Sequence, residues 1–138
     1  MAPRCEWVPG ARCRALLEAF LDGPCEVDAA LLSTADGRPV AMAARSRIDA
    51  ARLAAIAGSL LALAETCTHE LRHGACRNAI VDGEHGITTM LRIQVPQGAC
   101  TLTTISARTA NLGLLFTHSK QLGEALALAA RNEAPLAP

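Results

Sequence analysis

Aromatic residues are almost missing from this 138-residue sequence: Trp7, Phe20 and Phe116 are the whole set, and there is no tyrosine. That disfavours nucleic-acid modules that read single strands by stacking bases on aromatic side chains. It also leaves the core to be built from Ala, Leu, Ile and Val. Net charge is missing too, since thirteen Lys and Arg balance thirteen Asp and Glu. No long-range field draws such a chain to nucleic acid or to an anionic membrane. Lysine is reduced to Lys120, and arginine supplies every other cation. With alanine abundant, that composition points to a high-GC, bacterial genome. The start, MAPRCEWVPGARC, lacks the apolar stretch of a signal peptide. No apolar run reaches the roughly 18 residues of a membrane span, because the longest, from Leu53, stops at Glu65. A cytoplasmic protein is expected, and its six cysteines are expected as reduced thiols that pack as small hydrophobes. Neither a GxxxxGK phosphate loop nor GxGxxG occurs, so the chain shows no means of holding a nucleotide, and GxSxG is absent as well. No cofactor is expected.

The run Ala29 to Ala64 carries the most information. A short apolar strand meets an Asp36-Gly37 turn and a second strand, the pattern of an antiparallel hairpin. A helix follows that is apolar almost all round, with only Gly58 and Ser59 interrupting Leu53 to Ala64. Such a helix needs cover on more than one face. One sheet covers one face, and a partner chain is the natural cover for the other.

The rest of the chain falls into a simple order. A helix over Ala11 to Asp22 is stopped by Gly23-Pro24, and strands follow over Glu26 to Ser33 and Arg38 to Ala43. The apolar helix starts near Ala50 behind Asp49 and runs to His73, where Gly74 ends it. Strands over Cys76 to Asp82, Gly86 to Gln94 and Ala99 to Ser106 come next, then a helix over Thr109 to Arg131. Residues 1–10 read as a flexible arm, 11–131 as one domain and 132–138 as a tail. Hairpin strands with the helices collected on one side define an α+β layer fold.

Several segments, taken together and in order, resemble the roadblock/dynein light chain domain family: ALLSTADGRPVA, DAARLAAIAGSLLALAE, RNAIVDGEHGITTMLRI and TANLGLL. The resemblance covers about Arg12 to Leu128. It implies a single domain of order αββαβββα, a five-stranded antiparallel sheet with the central helix on one face. It further implies a homodimer in which the central helices pack together and the third strands pair edge to edge. On the helix, the face carrying Leu53, Ile56, Leu60, Ala64 and Cys67 is one candidate for the seam, Ala57, Leu61 and Thr68 lie beside it, and spacing alone leaves open which face meets the sheet and which the partner. From the strand the seam takes Arg77, Asn78, Ala79, Ile80 and Val81. Pairing a bare strand edge with its own copy is a physical remedy for its exposure. Bacterial members resemble a gliding-motility polarity protein that acts on a Ras-like small GTPase, by contact and without catalytic chemistry of their own. The function implied is a homodimeric, non-enzymatic regulator or adaptor that binds such a GTPase or its signalling complex. A dimeric scaffold that tethers other proteins without regulating a GTPase is the alternative.

Two local patterns compete for a chemical role. His69-Glu70-Leu71-Arg72-His73 fits H-E-x-x-H, in which two histidines one helical turn apart hold zinc and the glutamate polarises water. Glu84, His85, Cys76 or His118 offers a third ligand, and Cys67, His69, His73 and Cys76 form a tight group of candidates. A zinc hydrolase is thus a remote alternative. The motif lies in the last helical turn, where His and Arg are favoured by the free carbonyls and the dipole, and a helix terminus is the stronger reading. Asp82, Glu84 and His85 read as a solvated turn, and Cys100 as a core residue. Arg45, Arg47 and Arg52 cluster where the second strand enters the central helix and are candidates for contact with an acidic partner. Their alternative is a solvated helix start.

Overall fold

Asp49 and Asn111 decide where the two long helices begin. In the computed structural model, which describes residues 10–133, the elements are α1 (Ala11–Leu21), β1 (Val27–Thr34), β2 (Pro39–Ala44), α2 (Ala50–Glu70), β3 (Asn78–Asp82), β4 (Ile87–Val95), β5 (Gly98–Ser106) and α3 (Leu112–Glu133). The Asp49 carboxylate accepts the Arg52 N–H at 3.1 Å at the start of α2, and the Asn111 side-chain oxygen accepts the Leu114 N–H at 3.1 Å at the start of α3. Such caps contribute about 1 kcal/mol each. At α1 the cap comes from far along the chain, since Glu133 accepts the Gly10 N–H at 2.9 Å. The same carboxylate lies 3.6 Å from the buried Cys13 thiol; burial first, then this carboxylate, push that thiol up to about 11. The expected arm and tail lie outside the described residues apart from Gly10, Asn132 and Glu133, and the last two belong to α3.

The five strands form one antiparallel sheet in the order β2-β1-β5-β4-β3. Tight connections make this possible. β4 and β5 are joined through Pro96-Gln97, with Val95 opposite Gly98, and Gly83 N–H closes the β3–β4 turn on the Gly86 carbonyl at 2.8 Å.

The helices do not collect on one side. α2 lies on one face of the sheet, while α1 and α3 pack against each other and cover the opposite face. The reason is that β1 is apolar on both faces. Ala30 and Leu32 join Leu17, Leu21, Leu115, Leu122 and Leu126 in the core beneath α1 and α3. Leu31, of opposite pleat and also fully buried, lies on the α2 side, and Thr103 pairs with it from β5. Burial on both faces calls for helices on both.

The end of α2 also differs from expectation. The helix stops at Glu70, and Arg72 rather than Gly74 takes the left-handed conformation that ends it, with φ 57. His73 N–H then bonds back to the Thr68 carbonyl at 2.8 Å and Arg72 N–H to that of His69 at 3.0 Å. These are the paired bonds of a Schellman cap.

The β1–β2 turn is pinned on α2. Thr34 N–H bonds the Arg38 carbonyl at 2.8 Å and the Thr34 hydroxyl bonds the Asp36 carboxylate. That hydroxyl, with the Arg38 guanidinium at 3.3 Å adding to it, holds Asp36 below the ordinary carboxylate range. Gly37 has φ +89, and a Cβ there would stand 3.1 Å from the Ala55 Cα; a Cβ on Gly58 would stand 3.2 Å from the Gly37 Cα. Turn and helix therefore touch backbone to backbone. Gly37→Ala should lower the unfolding free energy by about 2–4 kcal/mol, from left-handed strain of about 1–2 kcal/mol and overpacking on Ala55. Gly74→Ala, also at positive φ but with nothing within 4 Å, should cost the strain alone. Urea titration of both variants ranks them, and equal losses would mean the turn–helix contact contributes nothing.

Candidate functional site

α2 has a buried side and an open one. Ala54, Ala57 and Leu61 are buried, while Ile56, Leu60 and Leu63 are exposed by 49%, 37% and 67%. Ile56, Leu60 and Leu63 are spaced i, i+4, i+7 and so form one stripe on the outer side. The helix that carries the stripe packs on β3, and among the described residues β3 has a strand partner on one side only, β4. Ala79 and Val81 lie on the α2 side of β3, as their pairing with Met90 and Thr88 requires, and Val81 is 42% exposed. Asn78 and Ile80 lie on the other side. An apolar stripe beside an unpaired edge is a contact surface, since each fully buried Leu or Ile is worth about 1.5–3 kcal/mol.

Two ion pairs fix this surface in place. Arg92 on β4 holds Glu65 of α2 at 3.1 Å. Arg108, in the loop after β5, pairs with Asp82 at the end of β3 and donates to the Gly83 carbonyl at 3.3 Å. The helix and the edge are thus tied to the sheet and to its far loop.

The profile of the Roadblock/LC7 domain matches residues 16–95, more than half of the sequence. The chain belongs to the Roadblock/LC7 family. Solved structures agree in fold. An MglB described in a tetrameric arrangement is 22% identical, with 97% of this chain and 100% of that one covered and a TM-score of 0.82. The gliding protein mglB of Thermus thermophilus is 23% identical, over 97% and 100%, at 0.80. A Roadblock/LC7 domain from Streptomyces avermitilis is 25% identical, over 83% and 98%, at 0.63. Among curated proteins none matches the sequence.

On this roadblock domain the expected seam residues separate. Ile56 and Leu60 lie on the open stripe, Leu53 and Ala64 are half-buried at its flank, and Arg77, Asn78, Ala79, Ile80 and Val81 follow the β3 edge. Ala57 and Leu61 must be withdrawn: at 1% and 0% exposure they are consumed by packing on the sheet. Leu63, which sequence reasoning passed over, is the most exposed apolar residue of the stripe, and its signal was its spacing of seven from Ile56. By length and composition α2 is apolar enough to cross a membrane, contrary to the reading of its sequence run, but its inner side is occupied by the sheet.

The zinc-like motif is taken apart by the helix cap. His69 lies in the last turn of α2 and His73 beyond it, so the two do not stand one turn apart on a continuous helix. Among the described residues no three His, Cys, Asp or Glu side chains come together as metal ligands, and the Cys76 thiol faces the Asn78 carbonyl at 3.3 Å. Cys13, Cys25, Cys67 and Cys76 are free thiols, Cys13, Cys25 and Cys100 are buried, and Cys5 lies outside the described residues. Stoichiometric zinc should be absent from the purified protein by elemental analysis, and His73→Ala should leave its melting temperature unchanged. A bound equivalent of zinc lost in that variant would reverse this reading.

The three arginines also divide. Arg45 joins elements of this chain: its guanidinium donates to the carbonyls of Leu21 and, at 3.4 Å, Val27, and pairs with Asp22 at 3.3 Å. Arg47 and Arg52 are exposed, with no ion pair among the described residues. Arg45→Ala should cost about 1–2 kcal/mol of stability through the lost carbonyl bonds. Arg47→Ala should stay within about 0.5 kcal/mol; thermal denaturation distinguishes them, and equal effects would deny Arg45 its structural role.

Proposed function

We propose that this roadblock domain, residues 11–131, is a cytoplasmic homodimer that regulates a Ras-like small GTPase by contact and performs no catalysis itself. Roadblock/LC7 proteins are in general regulators or adaptors rather than enzymes. The observation that carries the dimer is the conjunction of the Ile56–Leu60–Leu63 stripe with the unpaired β3 edge. A two-fold axis beside β3 satisfies both at once, because edge-to-edge pairing brings the two α2 helices together on one face of a continuous sheet. The likeness to gliding proteins supports the choice of partner. Regulation then follows from differential affinity: the surface across two α2 helices binds one state of the GTPase better than the other and shifts its population. Arg47 and Arg52 flank that surface at the start of α2 and supply cations to an acidic partner.

The scaffold reading shares the dimer and differs in what the partner does. Light scattering should give twice the chain mass of 14.4 kDa. Ile56→Glu and Leu63→Glu, both at exposed positions, should weaken self-association at least a hundredfold, about 2.7 kcal/mol, while circular dichroism stays unchanged. Addition of the dimer should alter GTP turnover by a Ras-like GTPase encoded beside the gene, and the Glu variants should not. Binding partners without any GTPase would favour the scaffold. A monomeric wild-type protein would refute both readings.

A further inference from the structure

The helical layer opposite α2 stops one strand short. α1 packs on β1 and β2, and α3 packs mainly on β4 and less on β5, so β3 has no helix of its own on that side. A groove of about 730 Å³ runs between α3 and the β3–β4 pair. Leu91 and Phe116 make it apolar, and Ile80, 45% exposed on the same side of the sheet as Leu91, extends that surface toward the edge. Its rim is basic. Arg77 and Lys120 are exposed and have no ion pair among the described residues, and they face one carboxylate, Glu124. Ser119 also lines the groove; it is 2% exposed and its hydroxyl has no hydrogen-bond partner among the described residues. A buried hydroxyl left so has given up water without replacement, a cost that an entering polar group relieves.

We infer that this groove receives an acidic amphipathic α-helix of a partner protein, one helix per dimer, on the face opposite the α2 surface. The stoichiometry rests on the dimer proposed above. Pairing β3 with its copy sets two bare strands side by side between two α3 helices. At about 4.8 Å per strand the uncovered strip is about 10 Å wide, the diameter of one α-helix with its side chains. Each copy contributes Leu91 and, toward the edge, Ile80 to the floor and Arg77 and Lys120 to the rim; with Arg92 held by Glu65, four cations that lack an ion pair among the described residues face two carboxylates. A helix with an apolar stripe and glutamates on both flanks matches that pattern, and a basic helix meets repulsion.

The probe is a fluorescent amphipathic peptide of about five helical turns, with a Leu/Ala stripe and Glu flanks, beside the same peptide with Lys flanks. The acidic peptide should bind one per dimer and the basic one should not. Amide shifts in isotope-labelled protein should fall on β3, β4 and α3 and spare α2. Lys120→Glu, outside the proposed seam, should weaken the acidic peptide about tenfold with the molar mass unchanged. Equal binding of both peptides, shifts centred on α2, or indifference to Lys120→Glu would overturn the proposal. A dimer that ignores the acidic peptide overturns the groove and leaves the dimer standing. A monomer that binds one peptide per chain overturns the two-copy trough and the dimer together.

Discussion

The depth at which α2 sits on the sheet governs the rest of the molecule. Gly58 meets the Gly37 turn backbone to backbone, and Ala54 and Ala57 face the strands, so this helix lies close and its interface is thin. The opposite layer is built the other way, with Leu17, Leu21, Leu115, Leu122 and Leu126 filling a thick core beneath α1 and α3. With Ala54, Ala57 and Gly58 on its inner side, and Leu61 its one fully buried leucine, this helix has Ile56, Leu60 and Leu63 left over for the outer side. That reverses the ordinary amphipathic arrangement, in which the bulky stripe faces the core. The small inner residues and the outward Ile56, Leu60 and Leu63 are thus one design choice.

The β3 edge compounds it. Edge strands are ordinarily blunted by proline, lysine, bulges or a covering segment. Asn78–Asp82 contains neither proline nor lysine, and its one charge, Asp82, is engaged by Arg108. An apolar helix face and an unblunted edge lie on adjoining elements of the same chain. Each is a liability alone, and a single two-fold operation relieves both. That economy is the physical argument for the two-fold assembly proposed above.

Much of this was legible in the sequence, and the failures have physical causes. All eight elements and their order follow from hydrophobic period, Gly/Pro punctuation and the Asp49 cap. That the five strands form one antiparallel sheet with the third at its edge rested on family resemblance, and the order of the other strands was not legible. What misled was the terminus of α2. Gly74 is the residue type that ends helices and it does take positive φ, yet Arg72 turns left-handed two residues earlier, and the H-E-x-x-H spacing loses its helical meaning. The inner and outer faces of α2 were illegible by period because both are apolar; only side-chain volume separates Ala57 from Ile56. The placement of helices on both sides of the sheet was hidden likewise, since Ala29 to Leu32 is apolar on both pleats. Ser119, Lys120 and Arg77 meet only through the packing of α3 beside β3, and no local pattern joins them.

A regulator or adaptor, as Roadblock/LC7 proteins in general are, acts through the shape and stiffness of its surface. Here stiffness is supplied from within the chain. Arg92 ties α2 to β4 through Glu65, Arg108 ties the end of β3 to the loop after β5, and Glu133 ties the start of α1 to the end of α3. Surface ion pairs of this kind add little to global stability. Their effect is to remove alternative positions for the elements that present the contact surface, which lowers the ordering cost of association. A surface fixed in advance can also discriminate between two shapes of a partner, because a soft one would adapt to either. With zero net charge on the chain, that discrimination rests on local fit and local charge alone.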